Sequence, residues 1–400
     1  MSKFSFKINK NNPAHLFRVG TITTPHGQIK TPAFIAVGTK ATLKALTVDQ
    51  VKDTGAQALL ANAYHLYLQP GTEVIKKAGG IGRFMNWDRP TFTDSGGFQV
   101  LSLGAGFKKT LALEVIDHDI NDVIAKKGNR LAKVNDEGVY FKSHIDGGQH
   151  IFTPEISMQV QHDIGADIIF AFDECTSIMH PKKYQKVALE RTHKWALRCL
   201  AKHQELNQND NQNQALYGVI QGANYEDLRR EAASYMAQLE FDGYGIGGAI
   251  QKSELAQMLQ WVNELLPPHK PRHLLGLSEP DDIFIGIENG IDTFDCVAPA
   301  RIARNASLYT PNGKIIIRKN LYSADFDPPV KDCGCYTCQN YSRAYLNHLF
   351  RSKERLAATL ATIHNEYFII HLVEQIRESI INDNFFEFKK SWLAKYYTTG

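Results

Sequence analysis

The chain has 400 residues, of which 43% are hydrophobic and 22% charged, the balance of an ordinary globular protein. It is long enough for one large α/β barrel with an appendage, or for two average domains. A net charge of +3 is too small to demand a nucleic-acid partner, so such a partner must be held by local basic clusters. No apolar window approaches the roughly 18 residues of a membrane span, and the opening MSKFSFKINKNNP lacks the apolar core of a secretion signal; the cytoplasm is the expected location, with no membrane partner.

In chain order, short runs rich in Val, Ile, Phe and Tyr appear as AFIAVGT (33–39), ALLANAY (58–64), PTFTDSGG (90–97), ADIIFAFDE (166–174), ALYGVIQGA (215–223), GYGIGG (243–248), RHLLGLSEP (272–280) and DTFDCV (292–297). Helical patterns lie between them, among them ISMQVQHDIG, YQKVALERTHKWALRCLAKHQEL, YEDLRREAASYMAQLEF and SELAQMLQWVNELL. This alternation predicts a parallel sheet covered by helices, and its count and size match a (β/α)8 barrel. A doubly wound open sheet is the alternative, but no Gly-x-Gly-x-x-Gly opens a helix after an early strand.

The C-terminal ends of these runs are polar or glycine-rich: Asn62, Asp94, Asp173 with Glu174, Gln221, Gly247 with Gly248, Gly276, and Asp295. Any one of them is ordinary turn or cap chemistry, and Asp-Ser-Gly-Gly at 94–97 reads as a β-turn when taken alone. In a barrel all of them fall on the rim where active sites are built.

Two segments interrupt the rhythm. Residues 104–130 lengthen the connection after Asp94, with Lys108, Lys109, Lys126, Lys127 and Arg130 near its ends; residues 205–214, ELNQNDNQNQ, read as a solvated polar loop. After about residue 310 the alternation stops, which divides the chain into a catalytic barrel over 1–310 and, over 311–400, a smaller subdomain followed by C-terminal barrel helices. That stretch opens on Cys333-x-Cys335-x-x-Cys338 and carries His364 further on. Three thiolates and one imidazole complete a tetrahedral set, so a structural zinc ion is expected, with no position left for a reacting water. Iron–sulfur ligation lacks a fourth nearby cysteine, and His348 is a rival fourth ligand.

TDSGGFQV, FDECTS, YGVIQG, GIGG, DTFDCVAPARIARN and CGCYTC followed by HN, in that order, resemble the tRNA-guanine transglycosylases, also called queuine tRNA-ribosyltransferases, of bacterial type. The resemblance runs from about residue 15 to about residue 375. It implies a (β/α)8 barrel with a zinc-binding subdomain near the C-terminus, working as a homodimer. It also implies exchange of guanine-34 in tRNAs with a GUN anticodon for a 7-deazaguanine base, preQ1 or queuine. Replacing one base by another on the same face of the ribose takes two displacements through a covalent ribosyl intermediate, as in retaining glycosidases.

By this resemblance Asp295 is the nucleophile and Asp94 the general acid/base. Asp173 reads the N1–H and amine edge of guanine, Gln221 and the Gly248 backbone read its O6, and Phe98 and Leu275 sandwich the ring. Ser95, Gly96 and Gly97 let the main chain approach the base. Gly276, Glu279, Asp282, Arg301 and Arg304 match anticodon-loop contacts. Tyr341, Tyr345 and His348, with Phe84, match an aromatic subunit interface. The stretch GGAIQKSE (247–254) departs from both the preQ1 and the queuine pattern. A catalytically silent tRNA-binding subunit and a carbohydrate-cleaving barrel are the competing readings. The retained Asp94, Asp173, Gln221 and Asp295 set speaks against both.

Overall fold

The computed structural model describes residues 4–104, 132–210, 214–248 and 251–397. The expected insertion at 104–130 lies almost wholly outside them, as do Ala249 and Ile250. Eight parallel strands close into a ring: β1 (Ala33–Val37), β2 (Leu59–Asn62), β3 (Thr91–Asp94), β4 (Ile168–Phe170), β5 (Ala215–Ile220), β6 (Gly243–Ile246), β7 (Arg272–Leu274) and β8 (Thr293–Cys296), each paired with its sequence neighbours and β8 with β1. The barrel expected from the alternation is therefore present. Every residue of β1, β2, β5, β6 and β7 is buried, as strands covered on both faces require. Among the described residues no helix is long and apolar enough to cross a membrane.

The floor of the ring is sealed by an antiparallel sheet of Ser5–Asn11, Arg18–Thr24 and Gly27–Thr31. Its Ile22 and Ile29 are fully buried and continue the barrel interior of Ile35, Phe92, Ile168 and Tyr217. Arg18 locks this plug to the strands, donating through Nε (2.9 Å) and Nη2 (2.6 Å) to the buried Asp292 at the entrance of β8. The upper rim between β3 and β4 carries a second antiparallel sheet, Ala132–Val134, Val139–Lys142 and Gln149–Phe152.

Helix boundaries follow local chemistry. Thr153 accepts from the Ile156 N–H at 3.2 Å, Pro154 supplies a pre-set first turn, and Gly165 ends the helix in the left-handed conformation. One expectation fails: 205–214 is not a loop from its start, because the helix Lys182–Asp210 continues through Glu205 and Asn207. Leu206 is 6% exposed and Asn207 bonds His203 at 2.9 Å, so one apolar anchor and one i,i+4 contact extend a helix through polar sequence.

Beyond β8 the chain forms a short helix, Ala298–Arg304, and a hairpin, Ser307–Thr310 with Gly313–Ile316. The long helix Arg355–Ile381 then packs along β1 and against Ala298–Arg304.

Candidate active site and metal centre

Asp94 ends β3. Its Oδ1 accepts from the backbone N–H of Ala63 (3.0 Å) and of Gly96 (3.2 Å), and its Oδ2 from the Asn62 amide. Asn62 is also the N-cap of helix Ala63–Leu68, accepting from the His65 N–H at 3.0 Å. One amide therefore orients the carboxyl and starts the helix beside it. Burial pushes the Asp94 carboxyl up to about 7, and the Asp295 charge adds to the rise against the lowering effect of the donors. A carboxyl poised near neutrality can both give and take a proton.

Asp295 sits in β8 and is not a helix cap, since Val297 precedes Ala298–Arg304. Its side chain is 13% exposed. Its Oδ1 faces His273 Nε2 at 3.0 Å and accepts from the Gly276 N–H at 3.3 Å. The two carboxylates thus meet across the rim, one poised near neutrality and the other held by two donors.

Next to the Asp94 turn lies a polar cluster. Asp173, three residues past β4, accepts from Gln221 Nε2 at 2.7 Å and from Ser95 Oγ at 3.4 Å. Burial pushes its carboxyl up to about 6, held back by those two donors. Gln221 Oε1 is buried without a partner, so its acceptor side remains to be satisfied. Gly96 needs its φ of +80°, and a Cβ on Gly97 would stand 2.8 Å from the Asp173 carbonyl oxygen. Gly248 has φ +97°, and a Cβ there would meet Gln221 Oε1 at 2.7 Å. Phe98 is 39% exposed at the opening, and Leu275 packs beside Gly247. Glu174 stands apart from this set: it is buried, takes the Tyr184 hydroxyl at 2.5 Å and is ion-paired with Arg191.

Arg301 is exposed on helix Ala298–Arg304, whereas Arg304 turns back to donate to the Ala300 carbonyl at 2.9 Å. Glu279 is ion-paired with Lys314, and Asp282 is 2% exposed with Lys252 at 3.3 Å. Tyr341 and Tyr345 stack at 5.4 Å. Tyr345 and Phe84 are each 40% exposed.

Cys333, Cys335, Cys338 and His364 converge so that one ligand atom from each lies within 4.8 Å of the others. His364 Nδ1 stands 4.0, 3.5 and 3.3 Å from the three sulfurs. His364 Nε2 faces the Tyr309 carbonyl at 2.7 Å, which fixes the tautomer and leaves Nδ1 its lone pair for a metal. These spacings suit the edges of a tetrahedron with metal–sulfur bonds of about 2.3 Å. His348 is exposed and not part of this group.

Two contributors had no role assigned from the sequence: His273 belongs to no motif, and Asn365 stood in the HN pair only as the neighbour of His364. His273 lies inside β7, indistinguishable there from a packed core residue. Asn365, next to His364, accepts from the Tyr309 N–H (3.1 Å) and donates to the carbonyls of Pro299 (3.1 Å) and Ser307 (3.0 Å). It thereby ties the helix that carries His364 to the segment that follows Asp295. Asn62 was visible as a polar strand end, but its double role was not.

The family model described as queuine tRNA-ribosyltransferase matches residues 14–398. A queuine tRNA-ribosyltransferase of Caldanaerobacter subterraneus subsp. tengcongensis is 45% identical over 400 residues, covering 99% of each chain. One from Thermoanaerobacter sp. (strain X514) is 45% identical over 99% of this chain and 98% of its own, and one from Streptococcus mutans serotype c is 41% identical over 99% and 97%. Matched over nearly its whole length by that family model and by relatives at 41–45% identity, the chain belongs to the queuine tRNA-ribosyltransferase family.

Proposed function

We propose that this protein exchanges guanine-34 of a tRNA anticodon for a 7-deazaguanine base by double displacement. The observation that carries the reading is the pairing of Asp94, poised near neutrality, with a donor-held Asp295 across one rim. In the first step an Asp295 oxygen bonds to C1′ of the ribose. The C1′–N9 bond breaks with its electron pair going to the base, which takes a proton from the Asp94 carboxyl. In the second step the incoming base gives its N9 proton to Asp94 and bonds to C1′, and the electron pair of the C1′–O bond returns to Asp295.

The pocket supports the choice of base. Asp173 has acceptor oxygens for a ring N–H and an exocyclic amine, Gln221 is a further polar partner, and the glycines at 96, 97 and 248 keep side chains out of the plane a purine occupies. Phe98 and Leu275 are placed to cover its faces. Arg301 is the exposed cation best placed to meet anticodon phosphate. A nucleotide within a loop must turn its base outward to enter such a pocket.

The cluster of Cys333, Cys335, Cys338 and His364 fits zinc in the donor set and spacing already described. With four protein ligands the ion would contribute structure rather than chemistry. The exposed Tyr345, stacked on the partly buried Tyr341, with the exposed Phe84 elsewhere on the surface, supports a homodimer whose aromatics become buried on association.

Radiolabelled guanine incubated with unmodified tRNA bearing G34 tests the reading: label should enter the tRNA, and Asp295→Ala should abolish both exchange and the RNA–protein adduct seen under denaturing conditions. An adduct that survives in Asp295→Ala removes Asp295 as nucleophile. No incorporation by zinc-loaded wild-type protein removes the activity.

A further inference from the structure

His273 occupies an unusual position for a barrel-core residue. It is fully buried, and its ring lies between those of Phe92 and Phe170, with centroids 5.7 and 5.2 Å away. Its Nε2 faces Asp295 Oδ1 at 3.0 Å and its Nδ1 faces Thr293 Oγ1 at 2.9 Å. An ionised carboxylate can only accept, so Nε2 carries the proton. A neutral ring then presents Nδ1 as an acceptor, and the Thr293 hydroxyl must donate to it. The chain of donation runs one way, Thr293 to His273 to Asp295.

That direction distinguishes the two oxygens of Asp295. Oδ1 takes the His273 N–H and the Gly276 N–H. Among the described residues no group donates to Oδ2. The titratable groups around the carboxylate are His273 behind it, Asp94 across the rim and the buried Cys296 thiol beside it, which donates to the Gly276 carbonyl at 3.3 Å.

We propose that His273, oriented by Thr293, is a positioning residue that fixes Oδ1 and presents Oδ2 of Asp295 as the oxygen that bonds to ribose C1′. The inference rests on Asp295 being the nucleophile. Once Oδ2 is bonded to C1′, Oδ1 is an ester carbonyl. When the C1′–Oδ2 bond breaks in the second step, the electron pair returns to a carboxylate whose charge the His273 N–H receives. His273 therefore matters most where Asp295 leaves.

The test compares wild type with His273→Phe, which keeps a ring and removes the donor, His273→Gln, whose amide N–H falls near the position of Nε2, and Thr293→Val, which only unlocks the ring. With tRNA affinity, zinc content and melting temperature measured alongside, His273→Phe should lower kcat by about 100-fold. Breakdown of the covalent complex by added guanine should slow more than its formation, so the adduct accumulates. The acid limb of the kcat profile should move to higher pH, because the ionised carboxylate has lost a donor. His273→Gln should recover much of the rate, and Thr293→Val should fall between.

Wild-type adduct breakdown and an unmoved acid limb in a folded His273→Phe would overturn the inference. If that variant does not fold, an unaltered profile in Thr293→Val overturns it instead. Asp295→Asn separates the two levels: an adduct in that variant sinks the nucleophile assignment itself, whereas its absence alongside a wild-type-like His273→Phe sinks only the role of His273.

Discussion

Asp94 shows how a single residue is tuned by where the chain turns. Its strand delivers it into a dry rim, where two backbone donors and an amide favour the ionised form while burial and Asp295 oppose it. Replacing Asp295 by Asn removes one of the two opposing influences, so the Asp94 carboxyl should titrate at a lower pH than in wild type; carbon NMR of labelled aspartate checks this. The sign for stability follows. Between the unfolded value of 3.8 and the folded value of about 7, the native state binds the extra proton, so stability from this group is full at low pH and is lost as pH rises through 7. Urea midpoints measured from pH 4 to 8 should therefore fall more steeply with pH for wild type than for Asp94→Asn.

Gly97 gives a second prediction at this scale. Its substitution by Ala places a methyl 2.8 Å from the Asp173 carbonyl, forcing backbone apart in the pocket wall. The KM for the free base should rise by about tenfold or more, while a displacement of this kind need not disturb tRNA affinity. The glycine pair was legible only by its place: Asp-Ser-Gly-Gly is ordinary turn chemistry by itself, and the alternation of strands and helices put it on one rim with the other polar strand ends. His273 was not, because a histidine inside an apolar run looks the same whether it packs or aims at a carboxylate.

Elements divide by which end of the barrel they serve. The floor is held by Arg18 and Asp292, both buried and bonded to each other. Arg18→Ala would take away the ion-paired partner of Asp292 and leave its buried carboxylate to the Arg272 N–H and the nearby Arg272 charge, at a cost of about 3 kcal/mol, measurable by urea denaturation. Base exchange at sub-denaturing temperature should be unaffected, because the site lies at the opposite rim. Asn365→Ala removes three buried hydrogen bonds between the long helix Arg355–Ile381 and the segment after β8. It should destabilise by about 3 kcal/mol, but there the loss should also slow exchange, since the helix it releases follows Asp295 directly. The strands were legible as apolar runs ending in polar residues. The continuation of Lys182–Asp210 was not, because its anchor is the tertiary burial of Leu206, which no local composition reveals.

For the whole molecule, the metal cluster and the reacting rim are joined through consecutive residues: His364 contacts Tyr309, and Asn365 binds Pro299 and Ser307. Chelation should lower the melting temperature, and exchange should decline in step with that loss of structure. Elemental analysis should find one zinc per subunit, and Cys335→Ala should show none together with a lowered midpoint.

Closure of the eight strands has a further consequence. A ring has no first or last member, so the largest sheet offers no row of unpaired amides on which another chain could add. Borders remain on the small sheets, and lysines guard several: Lys7 and Lys10 on Ser5–Asn11, Lys133 on Ala132–Val134 and Lys314 on Gly313–Ile316, while Gln57 pairs both backbone groups of Lys30 on Gly27–Thr31. Concentrated solutions should accordingly stay clear below the melting transition, and turbidity should begin only when the ring itself opens.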